Sequence, residues 1–326
     1  MNKNKIIIIL GQTSTGKSDF AVEVAKCVNS EIISADSRQV YKGMNLGTGK
    51  ITKKEMDGIP HHLLDIVSPS RVLTVNDYKK LADKKIKEII KRKKIPIICG
   101  GTGFYIDTVI NNVTLPEVKP NKELRATLSK KSNIELMKIL SKFDPIRANN
   151  IDKDNPVRII RAIEIAKALG KVPDLKNTTN SAMAEFVVLH EKLNFNVLKI
   201  GLTLPPEILK ERIKTRLLYR IKKGMIEEVE NLHKSGISWK RLNNLGLEYR
   251  YVSMYLQEIE NLPTLKLRQE KKNEMIEKLN TEIWHYAKRQ KTWFKRDKSI
   301  IWIDPTKNSD KNKVLKDIKN FLKINP

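Results

Sequence analysis

Gly11-Gln12-Thr13-Ser14-Thr15-Gly16-Lys17-Ser18 follows directly on the apolar run Ile6 to Leu10. The octet fits G-x-x-x-x-G-K-[ST], the pattern of a phosphate-binding loop between a buried strand and a helix. Each residue type has a physical reason to be there. Glycines let successive backbone N–H groups turn inward as an anion nest. Lys17 adds a point charge, Ser18 offers a hydroxyl for Mg²⁺, and the following helix aims its positive end at the phosphates. The run before the loop is short, largely β-branched and bounded by glycine, as expected of a central parallel strand. Ala21, Val24, Ala25 and Val28 then recur at helical spacing. The loop is of the nucleotide- and ATP-binding type, and its pattern calls for a di- or triphosphate without saying which.

Outward from this loop, Ser30 to Ser34 reads as a strand, with the polar cluster Asp36-Ser37-Arg38-Gln39 at its carboxyl end. Open parallel sheets build their sites at that edge. Asp36 suits Mg²⁺ or the uptake of a proton, and Asp36 or Ser37 serves equally well as a helix N-cap. Ile95 to Cys99 is the next buried strand and opens into Gly100-Gly101-Thr102-Gly103 before another helix. The phosphate loop, Asp36 and Thr102 are therefore expected together at one sheet edge. Between them, Gly43 to Lys50 reads as a Gly-rich surface loop. His61 and His62, being adjacent, point to different sides and make a poor metal pair by themselves. Thr74 to Asp77 has capping-box spacing, and the helix behind it carries Tyr78, Leu81, Ala82, Ile86, Ile89 and Ile90 on one face. Lys91 to Lys94 ends that helix, where positive charge favours the dipole, so the run reads as structural.

The character changes from about Leu115. Pro116 and Pro120 break the pattern, and a helix-rich region runs to about residue 195. Arg158 and Arg161 lie three apart on one helix face, placed either for phosphates or on a solvated face with Glu164. Strand character returns at Val197 to Leu204. Glu207 to Lys234 then reads as helical, with Arg212, Arg216 and Arg220 every fourth residue; this stripe closes over phosphates or forms an exposed charged face. A long helix runs through Tyr286, Ala287, Lys288, Arg289, Gln290, Trp293 and Phe294, mixing cations with rings as a nucleic-acid-facing helix does, or packing those rings in a core. Ile300 to Asp304 is a last strand, ahead of a Lys-rich tail. The fold class is α/β, a P-loop NTPase-like parallel sheet core with a helical insertion domain: 1–115 as the first part of the core, 116–195 as the insertion, 196–326 as the second part with C-terminal helices.

The 326 residues are 40% hydrophobic and 31% charged, with no apolar run longer than a strand, so no membrane span is expected. Met1 to Lys5 leaves no room for a signal peptide before the first strand. Cys27 and Cys99 have no metal or redox spacing, which suits a reducing cytoplasm. The net charge of +26 implies either a polyanionic partner larger than one nucleotide or lysine used as a general solubilising residue.

The order of motifs resembles one family over nearly the whole chain: the tRNA dimethylallyltransferases, or tRNA isopentenyltransferases, of bacterial type. The matching segments are Gly11 to Ser18, Ser34 to Met44, Gly47-Thr48, Pro60-His61-His62-Leu63 with Asp65, Gly100 to Tyr105, and Ala287-Lys288-Arg289-Gln290 with Thr292-Trp293. Two segments depart from the family pattern. Asp152-Lys153-Asp154-Asn155 stands where a His-Pro-Asn-Asp run is usual, and Gly246-Leu247-Glu248-Tyr249 stands at a Gly-Tyr turn. Both belong to tRNA-contacting regions of the family. A C-terminal zinc finger of the eukaryotic kind is absent.

The resemblance implies transfer of a dimethylallyl group from its diphosphate to the exocyclic amine of the adenosine 3′ of the anticodon. It implies a diphosphate site at Gly11, Gln12, Thr13, Ser14, Thr15, Gly16, Lys17 and Ser18 with Arg216, joined by Arg212 or Arg220, as a clamp, and Mg²⁺ as cofactor on Ser18. Asp36 looks like the general base, helped by Thr102 and Lys17. The tRNA anticodon stem-loop would meet Asp36, Ser37, Arg38, Gln39, Thr102, Arg125, Arg158, Arg161 and Gly246. A cytoplasmic monomer is the family expectation. Two rivals share the loop: a small-molecule kinase with an arginine lid, and an isopentenyltransferase acting on free adenylate. The long insertion and the charge speak against both. A non-catalytic RNA-binding ATPase should carry an apolar strand ending in Asp-Glu, and the sequence has none.

Overall fold

The computed structural model describes residues 4–112, 116–172, 195–260 and 262–323. In chain order, the core begins with β1 (Lys5–Gly11), α1 (Lys17–Cys27), β2 (Ser30–Ser34), α2 (Lys53–Met56), β3 (His61–His62), α3 (Val75–Lys91), β4 (Ile95–Gly100) and α4 (Gly103–Ile110). Four helices follow: α5 (Lys122–Leu128), α6 (Asn133–Phe143), α7 (Pro145–Asn150) and α8 (Pro156–Leu169). The core resumes with β5 (Asn196–Leu202), α9 (Pro206–Lys222), α10 (Met225–Lys234), α11 (Trp239–Leu245), α12 (Leu247–Ile259), α13 (Leu265–Phe294), β6 (Ile301–Ile303) and α14 (Asn308–Leu322). The chain forms two compact units, Met1–Asn112 with Leu193–Pro326, and Val113–Lys192. The boundary expected at residue 115 lies outside the described residues.

The six strands form one sheet in the order β3-β2-β4-β1-β5-β6, every pairing parallel. β1 is central, and its side chains alternate between the two faces as a strand of period two must. Ile6, Ile8 and Leu10 pack with α3 and α4, while Ile7 and Ile9 pack with α1 and α14. Fully burying each such side chain stabilises by about 1.5–3 kcal/mol. The order places the carboxyl ends of β2, β4 and β1 side by side, with Ser34 opposite Cys99 and Leu10 opposite Gly100. The three segments expected at one edge therefore arrive there on adjacent strands.

α3 starts on the capping box of Thr74 and Asp77 and buries Tyr78, Ala82, Ile86 and Ile89. Leu81, expected on that face, is exposed. The helix expected from Glu207 to Lys234 is two helices, because Gly224 adopts φ 99° and caps α10. The Lys-rich tail is also ordered structure: Val314 and Ile318 of α14 are buried against the sheet. Gly43 to Lys50 is the expected loop, exposed at Gly43 and Asn45 and anchored inward by the buried Met44 and Gly47. Among the described residues, no helix is long and apolar enough to cross a membrane.

The basic run after α3 has the structural role expected of it. Glu31, buried on β2, takes Arg92 Nη2 at 2.6 Å, His62 Nε2 at 2.7 Å and Lys94 Nζ at 3.2 Å. Burial alone would raise the Glu31 pKa. The hydrogen bonds from Arg92, His62 and Lys94 outweigh burial and bring it down to about 2 from 4.5. A carboxylate held down in this way stabilises the fold above pH 4.5, and that stability is lost as pH falls from 4.5 towards 2. Glu31→Gln should therefore cost about 3 kcal/mol at neutral pH. Denaturant titrations should show the gap from wild type closing through that acid window. A gap that does not change with pH would remove the ion pairs as its cause.

Candidate active site

β1 brings Gly11 to the sheet edge at φ 143°, where a Cβ would collide with the Leu202 carbonyl of β5. Ser14 and Gly16 take φ 61° and 86°, the left-handed turns that curl the amides of the loop inward. Thr15 Oγ1 donates to the Gln12 carbonyl at 2.8 Å, and Lys17 Nζ reaches the same oxygen at 2.5 Å. Lys17 opens α1, so the positive helix end faces the loop, with Ser18 exposed in its first turn. Burial pushes the Lys17 pKa down to about 8. Cys99 opposes that shift, Arg216 adds to it and Asp36 opposes it.

One amide of the loop is already in use. Thr13 N–H donates to Gln290 Oε1 at 2.8 Å, and Gln290 Nε2 donates to the Gly101 carbonyl at 2.9 Å. A single buried amide on α13 thus fastens the phosphate loop to the turn that carries Thr102. Gln12 Nε2 adds a bond to the Ala287 carbonyl at 3.2 Å. Motif reading quoted Gln290 without giving it a role; its signal was membership of the Ala-Lys-Arg-Gln segment.

Asp36 follows β2 and braces a turn rather than capping a helix, since residues 37–40 form a turn. Its Oδ1 accepts Arg38 N–H at 2.8 Å and Gln39 N–H at 3.2 Å, bracing the turn. Oδ2 has no hydrogen-bond partner among the described residues. Thr102 accepts Ser37 N–H on Oγ1 at 3.1 Å, and its own N–H donates to the Ala35 carbonyl at 3.1 Å. The approach of β4 to β2 is close enough that a Cβ on Gly100 would collide with the Ala35 backbone. Arg38 Nε donates to the Leu245 carbonyl at 2.5 Å, bringing the Gly246 turn, at φ 78°, to the same cluster. Burial raises the Tyr286 pKa, and the charge of Asp36 raises it further. Sequence reading left Tyr286 between core and surface.

The arginine stripe of α9 does not act as one. Arg220 is buried, with Nη1 on the Leu46 and Gly47 carbonyls at 3.2 and 3.0 Å and Nη2 on Glu248 at 2.9 Å. It is a brace, and its candidacy as a clamp is withdrawn. Arg212 is exposed and interacts with Asp304. Arg216 lies within electrostatic reach of Lys17 and Asp36, and its Nη2 donates to the Gly49 carbonyl at 3.0 Å.

In the second unit, Glu164 is buried rather than on a solvated face. Arg125 grips it through Nε and Nη2 at 2.7 and 2.6 Å, and Arg161 Nη1 lies at 3.1 Å. Asn121 N–H also donates to it at 2.9 Å. Burial would raise the Glu164 pKa, but these donors, Arg125 foremost, hold it below the usual range. Arg161 Nη2 donates to the Val118 carbonyl at 2.8 Å. Arg125 and Arg161 thus neutralise the buried Glu164 from the surface, Arg125 itself being exposed, and Arg158 is exposed with Asp152 at 3.2 Å.

Comparison with known proteins bears on this geometry. A model of the IPP transferase family matches residues 39–297. The chain belongs to the IPP transferase family. The tRNA dimethylallyltransferase 2 of Treponema denticola is 45% identical over 295 residues, 90% of this chain and 93% of that one. The crystal structure of the full-length tRNA isopentenylpyrophosphate transferase from Bacillus halodurans superposes with a TM-score of 0.68 at 34% identity, covering 98% and 96% of the two chains. A eukaryotic dimethylallyltransferase crystallised acting on tRNA gives a TM-score of 0.76 at 26% identity over 99% of this chain and 81% of that one.

Both departures from the usual motifs of the IPP transferase family have a local structural account here. Asn155 caps α8 by accepting Arg158 N–H at 3.2 Å, ahead of Pro156 in the first turn. Asp152 meets the Arg158 side chain, so the variant run still starts the helix and holds its first arginine. In Gly246-Leu247-Glu248-Tyr249, Leu247 sits at φ 37° after Gly246, and Glu248 is the partner of Arg220.

Proposed function

We propose that this chain transfers a dimethylallyl group from dimethylallyl diphosphate to the exocyclic amine of the adenosine 3′ of the anticodon in tRNA, releasing pyrophosphate. The observation that carries the reading is the sheet order, which sets the ends of β2, β4 and β1 side by side and so brings Asp36, Thr102 and the phosphate loop with Lys17 to one edge. The amine nitrogen attacks the allylic carbon and the carbon–oxygen bond to the diphosphate breaks. The bonding pair leaves with pyrophosphate, and the proton of the amine passes to Asp36. The loop amides of residues 14–18, Lys17 and Arg216 meet the charge growing on the leaving group. Thr102 and the Arg38 and Gln39 amides fix the turn from which Asp36 acts.

Mg²⁺ fits the same loop. It takes one or two protein oxygens together with substrate phosphates and keeps several waters. The exposed Ser18 hydroxyl in the first turn of α1 supplies one such oxygen. Bound there with the donor, Mg²⁺ would draw charge from the diphosphate. The half-buried Tyr286 of α13, next to the Ala287 carbonyl that holds Gln12, offers an aromatic wall for an unstacked purine. The charge of +26 then has a polyanion to meet.

The test offers the protein dimethylallyl diphosphate or ATP with Mg²⁺, and unmodified tRNA or AMP as acceptor, read by mass. Prenylation of tRNA supports the proposal; prenylation of AMP alone, or phosphate transfer from ATP, overturns it. Arg158→Ala tests the tRNA surface of the second unit. It should weaken tRNA binding and reduce the salt slope of log K by about 1. An unchanged slope takes Arg158 out of the interface.

A further inference from the structure

Glu228 stands in the first turn of α10, where an acidic residue ordinarily serves its own helix dipole. Its carboxylate is turned elsewhere. Oε2 accepts Asn45 N–H at 2.9 Å and Leu46 N–H at 2.7 Å, and Oε1 accepts Gly47 N–H at 3.0 Å. Tyr249 OH adds a fourth bond at 2.8 Å. Three successive amides of a loop without regular structure converge on one side chain, which fills an anion nest made by the chain itself. The contact is tight, since a Cβ on Gly47 would enter the Tyr249 ring.

The carbonyl side of the same loop faces the candidate site. Arg216 Nη2 is held by the Gly49 carbonyl at 3.0 Å, and Gln39 Nε2 lies 3.5 and 3.4 Å from the Thr48 and Gly49 carbonyls. Arg220 bonds the Leu46 and Gly47 carbonyls from α9. The amide edge is thus anchored by Glu228 and the carbonyl edge presents Arg216. A guanidinium on a long side chain clamps a leaving group well only if something removes its freedom beforehand.

We infer that Glu228 is a positioning residue for diphosphate departure, acting through loop 45–49 to fix Arg216. The inference rests on the prenyl-transfer reading for its consequence in turnover, but its physical content is the affinity of the loop for pyrophosphate. A double-mutant cycle with inorganic pyrophosphate, read by calorimetry, tests it on Glu228→Gln, Arg216→Ala and the pair. Glu228→Gln keeps the shape of the side chain and one acceptor oxygen. It should weaken pyrophosphate binding about tenfold in the wild-type background and leave binding almost unchanged where Arg216 is already alanine. Equal losses in both backgrounds, or no loss in either, overturn the inference. Should Glu228→Gln fail to fold, Tyr249→Phe serves instead, since it removes one of the four bonds that hold the Glu228 carboxylate. It should weaken pyrophosphate binding about threefold in the wild-type background and leave it almost unchanged where Arg216 is alanine; equal losses in both backgrounds, or none in either, overturn the inference. Wild-type protein that binds pyrophosphate but prenylates no tRNA would count against the transfer reading alone.

Discussion

Asp36→Asn should slow single-turnover transfer by ~10²- to 10⁴-fold, the range for removing a positioned general base, and leave tRNA affinity nearly intact. Asparagine retains the Oδ1 that accepts the Arg38 and Gln39 amides, so the turn survives. What is lost is an oxygen able to take the proton. Asp36→Ala removes the brace as well and should lose about 1 kcal/mol of stability besides. Rapid-quench measurement at saturating donor, with filter binding of tRNA alongside, separates the two effects. If binding collapses together with rate in Asp36→Asn, the base assignment fails and Asp36 is a contact residue only.

Lys17→Met should lower pyrophosphate affinity by ~10²- to 10³-fold, as removal of one preorganised charge from an oxyanion site does. The wild-type protein also carries a pH signature. Burial leaves the free Lys17 ammonium with a pKa of about 8, and a bound anion raises that pKa. Below pH 8 the ammonium is already charged and binding takes up no proton at this site. Above it, binding must draw a proton, and affinity falls up to tenfold per pH unit. The ligand titrates in the same range, so the quantity to compare is the difference between wild type and Lys17→Met across pH 7 to 10. That difference should shrink as pH rises. A constant difference would mean that Lys17 stays charged throughout.

Local pattern carried most of the fold. The octet at residues 11–18, the capping box at Thr74 and the β-branched runs are short-range signals, and each is where it was expected. The grouping of Asp36 with Thr102 was legible because parallel sheets present their strand ends on one edge. Long-range polar bonds were not legible. The repeat of Arg212, Arg216 and Arg220 gives one helix face, but nothing in that spacing says that Arg220 turns inward to Glu248 and the Leu46 carbonyl. Gly43 to Lys50 reads as surface from its turn-forming glycines, and nothing in that run shows that Gly47 is held inward by an acid and a phenol far along the chain. Arg125 and Arg161 read as tRNA contacts, and no short-range signal shows that both also bind the buried Glu164. The Lys-rich tail hid a helix, since its apolar stripe is two turns long and lysine dominates the composition.

Gln290 has a consequence for how the protein is made. The bond from Thr13 to it spans 277 positions, so the loop is made long before its partner. A ribosome-bound chain that stops short of α13 carries the whole phosphate motif, but Thr13 and the Gly101 carbonyl then lack the partner they have in the finished fold. The fastening of the phosphate loop to the turn that carries Thr102 through Gln290 therefore forms only after α13 has been made.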